Sequence, residues 1–235
     1  MRLLRRLGIL LLVAALAQAA TLARYPYLQN VRADQATVMW TTRESGAGVV
    51  QFSTDRSNWR SAPARMRVFL PAETRLGEAY YQHEAQLSAL AAGAEYFYRV
   101  LVDGQVLAEE EDLRFRTPAP GPFRFLVFGD SGVGTPELGQ VARLMLRERP
   151  ALVLHVGDVS QLAGRFEDYE DYYFAYYRDL MKRVPFYPVP GNHDYLTQNA
   201  AAYVAAHAPP TEGVPESGRG RYYSFDWGNV HFVAI

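Results

Sequence analysis

Apolar and polar positions divide the chain into two regions with different periodicities. Between residues 25 and 117, short segments rich in valine, tyrosine and phenylalanine alternate with turn residues, which is the pattern of β-strands. Short strands at this spacing favour an all-β sandwich. The predicted strands are residues 36–42, 48–54, 80–87, 95–104 and 113–117.

The sequence TPAPGP at residues 117–122 interrupts this pattern. Three prolines and a glycine in six residues cannot continue a strand. We therefore place an interdomain linker at residues 119–122.

The periodicity changes beyond the linker. Residues 123–130 and 151–158 are apolar strands, and the helix between them has Thr135 as a predicted cap and Pro136 at its first position. A second helix is predicted over residues 166–183, followed by a third apolar segment. Strands that alternate with helices predict an α/β domain whose parallel strands have right-handed crossovers.

Each of the three apolar segments ends in polar residues. Asp130 follows the first, Asp158 the second, and Asn192, His193 and Asp194 the third, after Gly191, which lets the backbone turn sharply. One Gly-Asp pair alone is a common turn and one Asn-His pair a common cap. Three clusters in order are different, because ligands bind beyond the carboxyl ends of strands in open α/β sheets.

The chemistry of this set is that of a hard, oxygen-rich metal site. Carboxylates, an amide oxygen and an imidazole suit divalent cations such as Mn, Mg, Fe or Zn. Two such ions can activate water and clamp a displacement at phosphorus.

Composition limits the remaining possibilities. The 235 residues are 49% hydrophobic and 13% aromatic, enough for one or two ordinary cores. A net charge of −1 gives no reason to expect nucleic acid or an anionic membrane as a partner. Because there is no cysteine, thiolate ligands, a cysteine nucleophile and disulfides are excluded.

The first 19 residues have the pattern of a secretory signal peptide. Three arginines (Arg2, Arg5, Arg6) precede an apolar run over residues 7–16 and an Ala-Gln-Ala site ending at Ala19. A short membrane anchor is the alternative, but the run is short for a bilayer. We expect cleavage after Ala19, export to the periplasm or the cell exterior, and no stable membrane anchor afterwards.

Three motifs resemble those of the calcineurin-like metallophosphoesterases: Gly-Asp-Ser-Gly at residues 129–132, Gly-Asp at 157–158 and Gly-Asn-His-Asp at 191–194. The first region resembles a fibronectin type III domain through LSALAAGAEYFYRV at residues 87–100, with Trp40 as its core tryptophan. Together with YYSFDWGNVHFVAI at residues 222–235, this is similar to the purple acid phosphatase branch. The resemblance implies a fibronectin III-like domain at residues 23–118. It also implies an incomplete α/β/β/α metallophosphoesterase sandwich at residues 123–235.

The resemblance also implies roles for individual residues. Asp130 would ligate the first of two metal ions, and Asp158 would bridge both. Asn192 would ligate the second ion and orient a phosphate oxygen, while His193 would bind phosphate or act as general acid. We infer from its neighbouring position that Asp194 orients His193. The implied substrate is a phosphate ester, and the ions are of undetermined identity among Fe, Zn, Mn and Mg.

Gln161 departs from the family pattern. It stands three residues after Asp158, where purple acid phosphatases have a metal-binding tyrosine, so we expect no purple colour and doubt a ferric ion. Tyr169 and Tyr172 are possible substitutes but lie in the predicted helix, where aromatic residues are more often core.

The family's later histidine ligands have no counterparts among the remaining histidines. His83 lies in the β region, and we interpret His155 and His231 as structural and His207 as part of a loop. Because the chain also ends in the apolar sequence VHFVAI, we expect a C-terminally truncated chain. It should bind metal weakly and turn over little substrate.

Two other functions remain open. The protein could be a secreted binding module whose α/β half is non-catalytic, although retention of the acidic residues favours an enzyme. It could also be a phosphodiesterase or nucleotidase, because these share the same metal-binding residues. The sequence does not indicate an oligomeric state.

Overall fold

The computed structural model describes residues 19–235. The predicted signal segment, residues 1–19, therefore lies outside the described residues except for Ala19. Within residues 19–235, no helix is long and apolar enough to cross a membrane.

Eight antiparallel strands build the N-terminal half, as the alternating pattern predicts. The structure adds the first, fourth and seventh strands to those predicted, and a four-residue helix, α1 (Pro71–Thr74), follows the fourth. The strands are β1 (Leu22–Gln29), β2 (Ala36–Thr42), β3 (Gly48–Ser53), β4 (Arg60–Phe69), β5 (Tyr80–Leu87), β6 (Glu95–Val102), β7 (Gln105–Ala108) and β8 (Arg114–Arg116).

The strands form one hydrogen-bonded path in the order β1-β2-β5-β4-β3-β6-β7, with β8 beside β6. Strand β4 connects the two parts of the path, because its first residues pair with β3 and its later residues with β5. Pro63 stands where the partner changes, and a proline has no N–H to donate to a ladder. Side chains from both parts share one buried core that includes Trp40, Val50 and Tyr98. The all-β prediction is confirmed, while the closer resemblance to a fibronectin type III domain stays a prediction.

The C-terminal half begins after the predicted linker, which lies between β8 and β9. Strands β9, β10 and β11 form a parallel sheet in the order β11-β10-β9, and helices connect them, as predicted. The first helix of this half begins at Pro136, as predicted, but the side chain of Thr135 makes no capping hydrogen bond. The elements are β9 (Phe125–Phe128), α2 (Pro136–Arg147), β10 (Leu152–His155), α3 (Phe166–Tyr169), a π-helical turn (Glu170–Phe174), α4 (Ala175–Met181), β11 (Phe186–Pro188), a 3-10 turn (Asp194–Leu196), α5 (Ala201–Ala206), a 3-10 turn (Glu216–Gly218), β12 (Tyr223–Trp227) and β13 (Val230–Ala234).

The last two strands form an antiparallel hairpin that packs on the parallel sheet through aromatic rings. Phe225 of β12 stacks on Tyr187 of β11 with ring centroids 3.8 Å apart. Phe232 of β13 meets Phe125 of β9 edge to face at 5.4 Å.

The two halves share their hydrophobic cores. One cluster combines Tyr27 and Met39 of the β half with the helices of the α/β half. The other combines Tyr187 with the sandwich core. Hydroxyl groups also cross the boundary, since Tyr98 donates to the Lys182 carbonyl at 2.6 Å and Tyr187 to the Val31 carbonyl at 2.6 Å. The linker thus joins two bodies that are packed against each other along their length.

Candidate metal centre

The three predicted clusters follow the three parallel strands at one edge of the sheet. The register aligns Phe128, His155 and Pro188, the last residues of β9, β10 and β11. The backbone pairing continues past the first two strands, because the Asp130 N–H donates to the Gly157 carbonyl at 3.1 Å. The loops that carry Asp130 and Asp158 are therefore held side by side.

Asp130 and Asp158 share an unusual backbone conformation. Their φ angles are 50° and 51°, in the left-handed region that L-residues with a side chain rarely adopt. Such a conformation costs roughly 1 kcal/mol per residue, and surrounding contacts must hold it in place. Strain of this kind at two matched positions is common where side chains are positioned for function.

One side chain joins the two carboxylates. The Gln161 Nε2 donates to Asp130 Oδ1 at 2.8 Å and lies 3.4 Å from Asp158 Oδ2. The other oxygen of Asp158 accepts the backbone N–H of His193 at 2.9 Å. Both carboxylates consequently face one point, to which the third cluster is also connected.

Gly191 is required by close approach rather than by a turn. A Cβ atom at this position would lie 2.1 Å from Asp158 Oδ1 and 2.3 Å from the Asp158 nitrogen. Its φ angle is not in the left-handed region, so the sharp turn that we predicted is not the reason for the glycine. The absence of a side chain allows the third loop to reach the second carboxylate.

His193 and Asn192 lie at the solvent side of this arrangement. Asn192 is exposed and His193 is half-buried. The His193 Nδ1 lies 3.3 Å from the Leu162 carbonyl. Because a carbonyl only accepts hydrogen bonds, Nδ1 carries the proton and Nε2 is the ring atom left to interact with a ligand.

The Asp194 carboxylate makes no hydrogen bond to the His193 ring, the partner predicted from the sequence, but has four other hydrogen-bond partners. It is completely buried, and its carboxylate accepts the backbone N–H groups of Val159 at 3.0 Å, Ser160 at 3.0 Å and Gly191 at 2.8 Å. The Tyr169 hydroxyl donates a fourth bond at 2.5 Å. Burial raises the pKa of Tyr169, so this phenol remains a donor. Asp194 therefore joins the loops after β10 and β11 through their backbones, and does not orient the His193 ring.

The tyrosines considered as replacements for the family's metal-binding tyrosine are engaged elsewhere. Tyr169 is buried and bonded to Asp194, and Tyr172 packs over Gly134. Gln161 is the side chain that lies beside both aspartates. Its position three residues after Asp158 was the sequence signal for its location, but its contact with both carboxylates was not predicted.

Three histidines, which we call the buried histidines, lie in the cores (His83, His155 and His207). Burial lowers their pKa values to about 4 for His83, about 3 for His155 and about 3 for His207. The His155 Nε2 lies 2.8 Å from the Ser131 hydroxyl, directly behind the Asp130 loop. The structural role predicted for His155 therefore includes a contact with this loop, and its position as the last residue of β10 is the signal that places it there.

His231 lies away from the site, on the β12–β13 hairpin. Its Nδ1 is 2.6 Å from Asp226 Oδ1, and both side chains are exposed.

The residues fit a divalent metal in kind. Two carboxylates, an amide and an imidazole are oxygen and nitrogen donors of the type that Mg, Mn, Zn and Fe accept. Within the part of the chain that the structure describes, however, no group of three or more histidine, cysteine or acidic residues is arranged to hold an ion.

Comparison with protein families gives two matches that together follow the two halves of the chain. The sequence model of the "Purple acid Phosphatase, N-terminal domain" matches residues 25–117. That of the "Calcineurin-like phosphoesterase" matches residues 123–233, which contain all five predicted site residues.

Two similar proteins are named as purple acid phosphatases. "Probable inactive purple acid phosphatase 9" of Arabidopsis thaliana is 27% identical over 210 residues, covering 70% of this chain and 32% of that protein. "Purple acid phosphatase 23" of the same plant is 29% identical over 187 residues, covering 65% of this chain and 40% of that protein. The chain thus spans between a third and two fifths of the length of these relatives.

Solved structures show the same fold. Purple acid phosphatase PPD1 from yellow lupin (Lupinus luteus) seeds superposes with a TM-score of 0.73 at 21% identity, covering 92% of this chain and 44% of that one. PhoD superposes with a TM-score of 0.55 at 14% identity, covering 90% of this chain and 52% of that one.

Proposed function

The chain belongs to the calcineurin-like metallophosphoesterases with a purple acid phosphatase-type N-terminal domain, and from this premise we propose that it contributes to metal-dependent hydrolysis of phosphate monoesters. The observation that carries the proposal is the convergence of Asp130 and Asp158 on one atom, Gln161 Nε2. Two carboxylates this close repel each other unless a positive charge or donors lie between them.

We assign metal binding to Asp130, Asp158 and Asn192, which would hold divalent metal ions. Such ions neutralise phosphate charge and lower the pKa of water when bound. Asp158 Oδ1 already accepts the His193 N–H, so Oδ2 is the oxygen that would face a ligand. Both aspartates have a left-handed backbone, and both carboxylates lie within reach of the Gln161 amide.

His193 is the proton-handling group in this proposal. Its Nδ1 is anchored to the Leu162 carbonyl, which leaves Nε2 to bind a phosphate oxygen or to protonate the leaving alkoxide. Both roles need the imidazolium form, because the neutral ring holds its proton on Nδ1 and a phosphate oxygen only accepts hydrogen bonds. Asp194 positions the loops that hold these groups.

Metal titration tests the proposal. We expect the chain to bind Mn²⁺ weakly, and electron paramagnetic resonance measures this binding. Asp130→Asn or Asp158→Asn should weaken Mn²⁺ binding at least about tenfold. The matched control is Asp171→Asn, an exposed acid on the neighbouring π-helical turn. Equal Mn²⁺ affinity in all four proteins would contradict the assignment.

Activity is the second measurement. Because no group of three or more histidine, cysteine or acidic residues among residues 19–235 is arranged to hold an ion, we expect little turnover of a phosphate monoester by this chain. Turnover at a rate typical of enzymes, above about 1 s⁻¹, would contradict this part. A panel of monoesters, diesters and nucleotides distinguishes the monoesterase from the diesterase and nucleotidase alternatives. We further propose that residues 1–19 direct export, which N-terminal sequencing of secreted protein tests.

A further inference from the structure

Gln161 lies in the loop between β10 and α3, with its amide group directed at both aspartates. Its Nε2 is 2.8 Å from Asp130 Oδ1 and 3.4 Å from Asp158 Oδ2. The side chain is half-buried, so it is positioned by the protein but is not locked in a core.

The orientation of this amide follows from charge. A carboxylate only accepts hydrogen bonds, so the NH₂ end, with its two donors, faces Asp130 and Asp158. A cation between the same carboxylates makes the opposite demand, because it attracts oxygen lone pairs and repels N–H dipoles. The two ends of one side chain therefore suit two different occupants of the same place.

The backbone beneath Gln161 is rigid. The Asp194 carboxylate accepts the N–H groups of Val159 and Ser160, the two residues immediately before Gln161. The amide can consequently reverse by rotation about its terminal torsion, without movement of the loop. Terminal torsions of this kind are broad, so the rotation is inexpensive.

We infer that Gln161 is a neutral metal-site residue whose amide reverses when a cation binds, so that Oε1 replaces Nε2 between Asp130 and Asp158. This inference rests on the proposed metal site and deepens it. Because an amide adds no negative charge, the two aspartates alone supply the charge that the described residues place at this point. Such a set favours a divalent over a trivalent ion.

Substitution of Gln161 separates this inference from its main rival, in which the amide only keeps the carboxylates apart and is displaced by metal. If Oε1 is a ligand, Gln161→Ala should bind Mn²⁺ about tenfold more weakly and Gln161→Glu about tenfold more tightly. If the amide is only a spacer, Gln161→Ala should bind more tightly. Gln86→Ala is the matched control, since Gln86 makes an exposed amide–amide bond to Gln35.

A second readout follows the side chain itself. In ¹⁵N-labelled protein treated with a chelator, the Gln161 amide protons should be shifted by their bonds to the carboxylates, and addition of Mg²⁺ should move that signal. Gln161→Glu identifies the signal by removing it.

The outcomes separate the two claims. Equal or tighter Mn²⁺ binding by Gln161→Ala, with the loss in Asp158→Asn retained, overturns the inference and leaves the proposed site standing. Absence of Mn²⁺ binding in the unmodified chain overturns both.

Discussion

Replacing Asp194 with alanine removes the acceptor of four hydrogen bonds at once. Three of the donors are backbone N–H groups, those of Val159, Ser160 and Gly191, and the fourth is the Tyr169 hydroxyl. The carboxylate itself is completely buried. The Asp158 carboxylate also connects the loops after β10 and β11, but through one backbone N–H group, that of His193.

The expected cost follows from the three stranded N–H groups. A buried donor that loses its partner costs about 1–3 kcal/mol. The lower end applies here, because water can enter the space left by the carboxylate and because burial, which raises the pKa of Asp194, shows that the charge is itself costly. We therefore expect a loss of about 3 kcal/mol in the free energy of unfolding. In a domain of this size that lowers the melting temperature by about 6–12 °C.

Urea unfolding followed by circular dichroism measures the loss. Asp171→Ala is the control, since it removes an exposed acid from the neighbouring helical turn, and Tyr169→Phe should cost about 1 kcal/mol because it removes a single bond. A loss below about 1 kcal/mol in Asp194→Ala would refute the reasoning. If Asp194 acted mainly through the His193 ring instead, stability would stay constant and only phosphate chemistry would change.

Three further predictions follow from the geometry. Gly191→Ala should weaken Mn²⁺ binding at least about tenfold, because the new Cβ would lie 2.1 Å from Asp158 Oδ1; Gly77→Ala, which meets nothing within 4 Å, should change nothing. The buried histidines have pKa values of about 3 to 4, below their unfolded values, so the unfolded state binds more protons in acid. The stabilising contribution of the neutral histidines should be fully present above about pH 6.5 and should fall below that pH by up to about 4 kcal/mol per pH unit. Replacing one buried histidine with glutamine should lessen this slope. A melting temperature that does not change between pH 7 and pH 5 would contradict the prediction. The Arg24 side chain is 2% exposed and that of its partner Glu170 is 22% exposed. Glu170→Ala leaves the buried Arg24 cation unpaired, so it should destabilise the protein by about 3–5 kcal/mol, which is more than Arg24→Met should. The reverse order in thermal melts would contradict the assigned burial.

The positions of the chemistry could be predicted from sequence because strand ends are visible in the pattern. Apolar runs that stop at Asp130, Asp158 and Asn192 place these residues at one edge of a parallel sheet, and the structure puts the three loops there. The partners of Asp194 could not be predicted, because three of the four are backbone N–H groups, which every residue except proline has. A side chain adjacent in sequence, His193, was the visible candidate, but it was the wrong one.

The packing of the two halves against each other could not be predicted from the sequence for a related reason. An alternating strand pattern shows that one face is buried, but does not show what covers the other face. All seven residues of β2 are buried, because Trp40 faces the sandwich core while its neighbour Met39 faces the helices of the α/β half. The predicted linker marks only the boundary between the halves, whereas the shared clusters make each half part of the other's core.

One helical turn connects the shared packing to the candidate metal centre. Successive side chains on a helix point about 100° apart, so Tyr169 and Glu170 face different surroundings although they are neighbours in sequence. Tyr169 donates to Asp194, which holds the metal-site loops, while Glu170 pairs with Arg24 of the first β-strand. The β half therefore packs against the helical turn whose Tyr169 hydroxyl donates to Asp194. This arrangement gives a physical reason for an all-β domain to precede the α/β domain: it completes the core behind the site and contributes none of the candidate metal-binding residues.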